Sequence, residues 1–319
     1  MPLLGAHMSV AGGYYKAVEA AADLTMETVQ LFTHSPSQWA VPPVTAQPEV
    51  PAELTAEAGR RGEIVGAKTI RVAEATQFQE SLRTRNITQP IAHASYLINL
   101  ATPDPVLWHR SVNALTAELQ RAEQLGLAWV VVHPGASLRA TEQEGIANVV
   151  RALDCVRQRI VGSPTGCLLE TTAGQGTNLG WRFEQLAAML RGVHDPTWLG
   201  VCLDTCHLYA AGYPLAPQSA YETTMQQLEE EIGLAPVKAI HLNDSQKELG
   251  SRVDRHAHIG QGHLGLEPFR LLLNDPRFES LPMYLETPKG PNDEGQEWDA
   301  VNLAMLRSLV RRPRRRGKT

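Results

Sequence analysis

WVVVH (129–133), GCLLE (166–170) and GVCLD (200–204) each run through apolar residues and stop on an ionisable one. Five further segments share the form: LLGAH (3–7), TVQLF (28–32), QPIAH (89–93), VKAIH (237–241) and PMYLE (282–286). Short apolar runs rich in β-branched residues read as buried strands. They end at His7, Phe32, His93, His133, Glu170, Asp204, His241 and Glu286, so only the second lacks an ionisable terminus. Helical segments fill the intervals. Residues 111–125 place apolar side chains at 112, 115, 119, 122 and 125 and stop before Gly126; segments 17–22, 144–160, 183–190, 221–232 and 299–310 read similarly. Strand–helix alternation at this repeat predicts an α/β protein with a parallel sheet and helices outside it.

The chain has 319 residues, against the roughly 250 that a TIM barrel needs. One (β/α)8 TIM-barrel domain over residues 1–310, with long loops at the C-terminal face, accounts for most of it. A long insertion is expected at about 40–88, between the second and third strands. Pro42, Pro43, Pro48 and Pro51 mark its first part as an extended loop, and a helix is expected at 52–61 or 74–83. Residues 311–319, RRPRRRGKT, form a basic tail with nothing apolar to bury, expected to be disordered.

Apolar residues make up 43% of the chain, enough for a large core. The N-terminus lacks the pattern of a signal peptide. No apolar run approaches the ~20 residues of a membrane helix, so the expected compartment is the cytoplasm. Cys202 and Cys206 lie beside His207 and suggest a zinc site, but a thiol inside an apolar strand reads better as a small packed hydrophobe. Net charge is −5, and the tail is strongly basic, so the body is more acidic still. Such a surface repels nucleic acid unless bound cations change the local field.

A (β/α)8 barrel collects the C-terminal ends of its strands on one face. There, His93, His133, His241, Glu170, Asp204 and Glu286 would meet. His207, three residues beyond Asp204, sits in a turn that can aim it the same way. Asp254 and His256, two apart on an extended segment, can share one ion. Imidazole with carboxylate and no thiolate suits zinc or a similar divalent ion. Nine ligands exceed the needs of one catalytic zinc and suit three ions if a carboxylate bridges two. Three divalent ions outweigh four carboxylates, which favours a phosphate substrate. His7 is expected behind the ligands as a supporting group.

GVCLDTCH (200–207), HLNDSQKELGSRVDRH (241–256), ETTAGQGTNLG (170–180), HASYLINLA (93–101) and AHMSVAGG (6–13) closely resemble, in order, the endonuclease IV family of apurinic/apyrimidinic endonucleases. The match runs to about residue 309. The resemblance implies a monomeric trinuclear-zinc barrel, with manganese or another divalent metal as an alternative at one site. It implies hydrolysis of double-stranded DNA 5′ to abasic sites, leaving 3′-hydroxyl and 5′-deoxyribose phosphate ends, together with removal of 3′-blocking groups. It implies that His93 and His133 share one zinc with bridging Glu170; that Glu170, Asp204, His241 and Glu286 surround the second; and that His207, Asp254 and His256 hold the third. Glu170 is then the catalytic group that orients or deprotonates the nucleophile. Tyr96 and Leu97 match residues that wedge into the minor groove.

Two positions depart from the family. Ser37 replaces a basic residue that pushes into the DNA stack, with His34 a candidate substitute. Gln246 replaces a usual Lys, beside Lys247. Two other readings remain open on the sequence: a metal-dependent sugar isomerase of the same barrel superfamily, which has no use for a third metal, and a DNA-damage-binding protein without catalysis.

Overall fold

The computed structural model describes residues 2–39 and 69–311. Among the described residues, ten strands occur in the order β1 (Leu3–His7), β2 (Thr28–Phe32), β3 (Ile91–His93), β4 (Trp129–Val132), β5 (Gly166–Glu170), β6 (Leu199–Asp204), β7 (Val237–His241), β8 (Asp244–Ser245), β9 (His256–Ala257) and β10 (Pro282–Leu285). Eight of them close a parallel barrel in the order β1-β10-β7-β6-β5-β4-β3-β2, and β8 and β9 pair separately as an antiparallel ribbon. The helices are α1 (Tyr14–Asp23), α2 (Val72–Arg85), α3 (Pro105–Gln124), α4 (Glu142–Arg159), α5 (Phe183–Gly192), α6 (Thr205–Ala211), α7 (Gln218–Glu231), α8 (Glu267–Leu273) and α9 (Trp298–Leu309). The fold is a TIM barrel.

The expected strands coincide with the barrel strands to within a residue or two at each end. The helix expected at 74–83 is α2, which packs along α1 and supplies the ordinary barrel helix between β2 and β3. The alternative at 52–61 and the tail beyond residue 311 lie outside the described residues. Two helices escape periodicity analysis. α6 and α8 have seven residues each, too few to display a 3.6-residue stripe.

The barrel interior is plugged by Ile91, Val131, Leu168, Cys202, Ala239 and Tyr284. The Tyr284 hydroxyl donates to the Gln89 carbonyl at 2.6 Å and accepts from Thr28 Oγ1 at 3.2 Å, so the one polar atom of this layer is satisfied. Side chains of a strand alternate between its faces, so the next inward position lies two residues on. Two residues beyond each plug residue stand His93, His133, Glu170, Asp204, His241 and Glu286. One pleat therefore lifts six ionisable side chains into a single layer above an apolar floor.

β1 contributes Gly5 where a plug residue would otherwise stand. A Cβ there would lie 2.2 Å from the Thr28 carbonyl oxygen of β2. Gly5→Ala should force the two strands apart at a cost of about 1–3 kcal/mol, read as a lower thermal midpoint; an unchanged midpoint would show that β1 and β2 can yield.

Candidate metal centre

All nine residues nominated by the sequence converge at the C-terminal mouth. Three sets place ligand atoms within 4.8 Å of one another: His93, His133 and Glu170; Glu170, Asp204, His241 and Glu286; and His207, Asp254 and His256. Glu170 joins the first two. Its Oε2 lies 3.1 Å from His93 Nε2 and 3.0 Å from His133 Nε2, while Oε1 lies 2.9 Å from His241 Nδ1. A fourth set substitutes Cys206 beside Asp204 and His256. Burial pushes the Cys206 thiol up to about 12, and its Sγ donates to the Arg255 carbonyl at 3.6 Å, so it packs as a neutral thiol. Cys202 belongs to the barrel plug.

Local structure explains the arrangement of the loop-borne members. Asp204 ends β6 and caps α6, with Oδ1 accepting from the His207 amide at 2.7 Å. His207 thus sits in the first turn of a helix, where the sequence reading had a simple turn. The β8–β9 ribbon pairs Ser245 with His256 and so carries His256 back to the mouth. Asp244 is fully buried, but its oxygens accept from the amides of Ser245, Gly260, Gly262 and Leu264 at 2.7–3.0 Å. It braces this loop and adds no ligand. Gln175 Oε1 accepts from the Asp254 amide at 3.0 Å.

The imidazoles are oriented from outside. Nδ1 of His93 donates to the Ala94 carbonyl at 2.7 Å, that of His207 to the Thr171 carbonyl at 2.8 Å, and that of His256 to the Glu286 carbonyl at 3.2 Å. When neutral, each ring presents a bare Nε2 lone pair inward, the usual way a protein prepares a metal-binding histidine. Nε2 of His207 and Nε2 of His256 stand 3.4 Å apart, with Asp254 carboxylate oxygens 3.3 and 3.5 Å away. Lone pairs facing lone pairs and a carboxylate repel unless a cation or a proton lies between them. The residues therefore fit divalent metal.

The charges respond accordingly. Burial would raise the Glu170 carboxyl, but the His241 and His133 imidazoles outweigh it and hold it well below the ordinary carboxylate range. Burial would lower His207, but Asp204 and Asp254, helped by a hydrogen bond to Asp254, raise it well above its ordinary value. A cleft of about 220 Å³ lies over these groups, lined by Phe32, His93, His133, His207, Asp254, His256 and Glu286. A larger groove of about 680 Å³ runs along α4 and α5 on the barrel flank and takes in none of these ligands.

Residues 18–309 match the family model described as a xylose isomerase-like TIM barrel. A Chloroflexus aurantiacus protein named "Probable endonuclease 4" is 44% identical over 97% of this chain and 99% of its own. A Geobacter sp. (strain M21) protein of the same name is 40% identical over 97% and 99%. This chain belongs to the endonuclease IV family. The crystal structure of endonuclease IV from Thermus thermophilus superposes with a TM-score of 0.77 at 36% identity, covering 97% of this chain and 98% of that one. A D-tagatose 3-epimerase-like protein also superposes, with a TM-score of 0.66 at 18% identity over 96% of each chain, which shows a shared barrel alone.

The residues expected to touch substrate lie around the rim. Tyr96 is 63% exposed, and Leu97 beside it is half-buried, both on the loop after β3. His34 and Ser37 occupy the loop after β2; His34 Nδ1 donates to the Ser35 carbonyl, and Ser37 Oγ lies 3.2 Å from Ser35 Oγ. None of these four belongs to the metal-capable sets among the described residues. Gln246 folds onto its own ribbon, with Nε2 donating to the His256 carbonyl at 2.8 Å. His7 stands behind Glu286, with Nδ1 3.8 Å from Glu286 Oε1.

Two site residues were missed by reading strand ends. Asn243 donates from Nδ2 to Asp204 Oδ2 at 2.6 Å and accepts at Oδ1 from the Glu286 amide at 2.8 Å, locking two ligands together. Gln30, fully buried on β2, contacts His7, His241 and Glu286. Its signal was an amide inside the apolar run TVQLF, two residues beyond inward-facing Thr28.

Because neighbouring acids raise His207 above its ordinary pKa, a metal bound there would have to displace its proton. Divalent-ion affinity should fall as pH is lowered from about 8 to 6, and zinc binding to the metal-free protein should release protons, measured by calorimetry in buffers of different ionisation heat. Affinity flat with pH and no proton release would remove His207 from the metal group.

Proposed function

We propose that this protein is a metal-dependent DNA-repair endonuclease that hydrolyses the phosphodiester 5′ to abasic sites, leaving a 3′-hydroxyl and a 5′-deoxyribose phosphate. The observation that carries the reading is the third set, His207, Asp254 and His256, standing beside a bridged pair of sets. A sugar isomerase has no use for it. Membership of the endonuclease IV family and the name of the Thermus thermophilus relative support the same activity.

His93, His133 and Glu170 would hold one zinc, Glu170, Asp204, His241 and Glu286 the second, and His207, Asp254 and His256 the third, with manganese or another divalent ion as an alternative at one of them. Zinc would supply Lewis acidity toward the phosphate oxygens and a nucleophile available near neutral pH. Glu170, with one oxygen facing each of two sets, would orient the attacking water or take its proton. The imidazoles of His93, His207 and His256, fixed by backbone carbonyls, would keep their donor atoms in place through the reaction, so little reorganisation is needed as charge develops. The cleft of about 220 Å³ is smaller than a drug-sized pocket and suits a baseless sugar-phosphate better than a whole nucleotide. An abasic nucleotide stacks poorly and is extruded at low cost. Exposed Tyr96, with Leu97 beside it, would fill the space it leaves in double-stranded DNA. A 3′-blocking group attached through phosphate presents the same bond to the same oxygens.

Glu170→Gln should cut single-turnover incision of an abasic duplex by roughly 10³-fold or more while the barrel stays folded; substantial incision by that variant, or no incision by the zinc-loaded wild type, would overturn the reading. Ser37→Arg restores the charge that family members often carry in the loop after β2. It should tighten binding to abasic duplex and steepen the log–log salt dependence by about one unit, measured by fluorescence anisotropy; an unchanged slope would place Ser37 off the DNA.

A further inference from the structure

Gln30 is fully buried on β2, on the same rung as His7 of β1. Its amide makes three hydrogen bonds, using both N–H donors and the carbonyl oxygen. Nε2 donates to Glu286 Oε1 at 2.5 Å and to His7 Nδ1 at 3.1 Å, and Oε1 accepts from His241 Nε2 at 2.9 Å. The direction of the amide is not arbitrary. An ionised carboxylate only accepts, so the amide nitrogen must face Glu286; turned over, the amide would set oxygen against oxygen at the same separation. With Oε1 thereby aimed at His241 Nε2, that nitrogen must carry a proton. The remaining nitrogen, His241 Nδ1, faces Glu170 Oε1 at 2.9 Å, Glu286 Oε2 at 3.1 Å and Asp204 Oδ2 at 3.8 Å.

His241 is therefore arranged oppositely to its neighbours. His93, His207 and His256 spend Nδ1 on backbone carbonyls and face inward with Nε2, whereas His241 spends Nε2 on a side-chain amide and faces inward with Nδ1. Gln30 Oε1 fills the place that a backbone carbonyl takes behind the other three rings. We propose that Gln30 is a positioning residue for the Glu170–Asp204–His241–Glu286 group, selecting the Nε2–H tautomer of His241 and steadying Glu286 so that a divalent ion is taken through His241 Nδ1. The proposal rests on the metal reading given above and adds to it the residue that sets one ligand's bonding atom.

The test uses the full-length protein stripped of metal and titrated with zinc against a chromophoric chelator. Gln30→Leu keeps approximate volume and removes the amide. It should fold, retain two tight zinc ions, and bind the third roughly 10–100-fold more weakly, the range usual for loss of a residue that orients a metal ligand. Thr28→Val is the control. It removes a buried hydroxyl two residues earlier on the same strand and should keep all three ions at wild-type affinity. Nitrogen-15 NMR of the imidazoles supplies a readout that needs no variant to fold: zinc-loaded wild type should show His241 with a proton on Nε2 and metal-shifted Nδ1. Three ions bound by Gln30→Leu at wild-type affinity, or His241 metallated through Nε2, would overturn the assignment to Gln30 while leaving the metal centre intact. Wild type that binds no zinc at His241 would instead bring down the metal reading and this assignment with it.

Discussion

Carboxylates packed with imidazole lone pairs in a shielded cavity repel one another, and this centre is built around that repulsion. Glu170 and Asp204 are fully buried, and His241 lies between them with no exposure. Isolated charges so placed would shift their protonation or unfold the site. In the absence of metal the excess is taken up by protons, which is why His207 is raised and Glu170 lowered. Divalent ions in place of those protons satisfy the same geometry with more charge. The apolar plug beneath prevents water from relieving the strain from below, and the backbone carbonyls behind His93, His207 and His256, with the Gln30 amide behind His241, prevent these donors from turning away.

This also resolves the apparent conflict between an acidic chain and a polyanionic substrate. Net charge describes the whole surface, while a phosphate at the mouth experiences the nearest charges. A centre rich in buried acids that took up divalent cations would become locally electropositive on an otherwise acidic body.

Most of the barrel could be read from the chain because each strand is short, apolar and terminated by a change of character. The site could be read because a closed parallel barrel sends every strand terminus to one rim, so position in sequence stood in for position in space. What could not be read follows from the same rule. Gln30 is a polar residue inside its strand, where apolar neighbours Val29 and Leu31 hide it. Asn243 lies beyond β7, outside any periodic element. α6 is buried on almost every side, so it shows no stripe, although Asp204 before Thr205 was an available capping signal. Asp244 is a further buried acid beyond β7, and only the four amides directed at it distinguish a brace from a ligand. The resemblance supplied the grouping of ligands into three, which spacing alone left open.

The loop from Thr33 to Trp39 is fastened at several points. Thr33 Oγ1 donates to buried Glu118, Arg121 Nε donates to Thr33 Oγ1 at 3.0 Å, and Tyr14 hydroxyl donates to the Thr33 carbonyl at 2.7 Å. Ser95 Oγ donates to the Pro36 carbonyl at 2.6 Å, and the Arg110 guanidinium lies 4.2 Å over the Trp39 ring. The segments bearing Ser37 and Tyr96 are thus buckled to each other and to α3. Their ordering entropy is already spent at folding, so whatever docks on this part of the rim meets loops already set and gains nothing from their rearrangement.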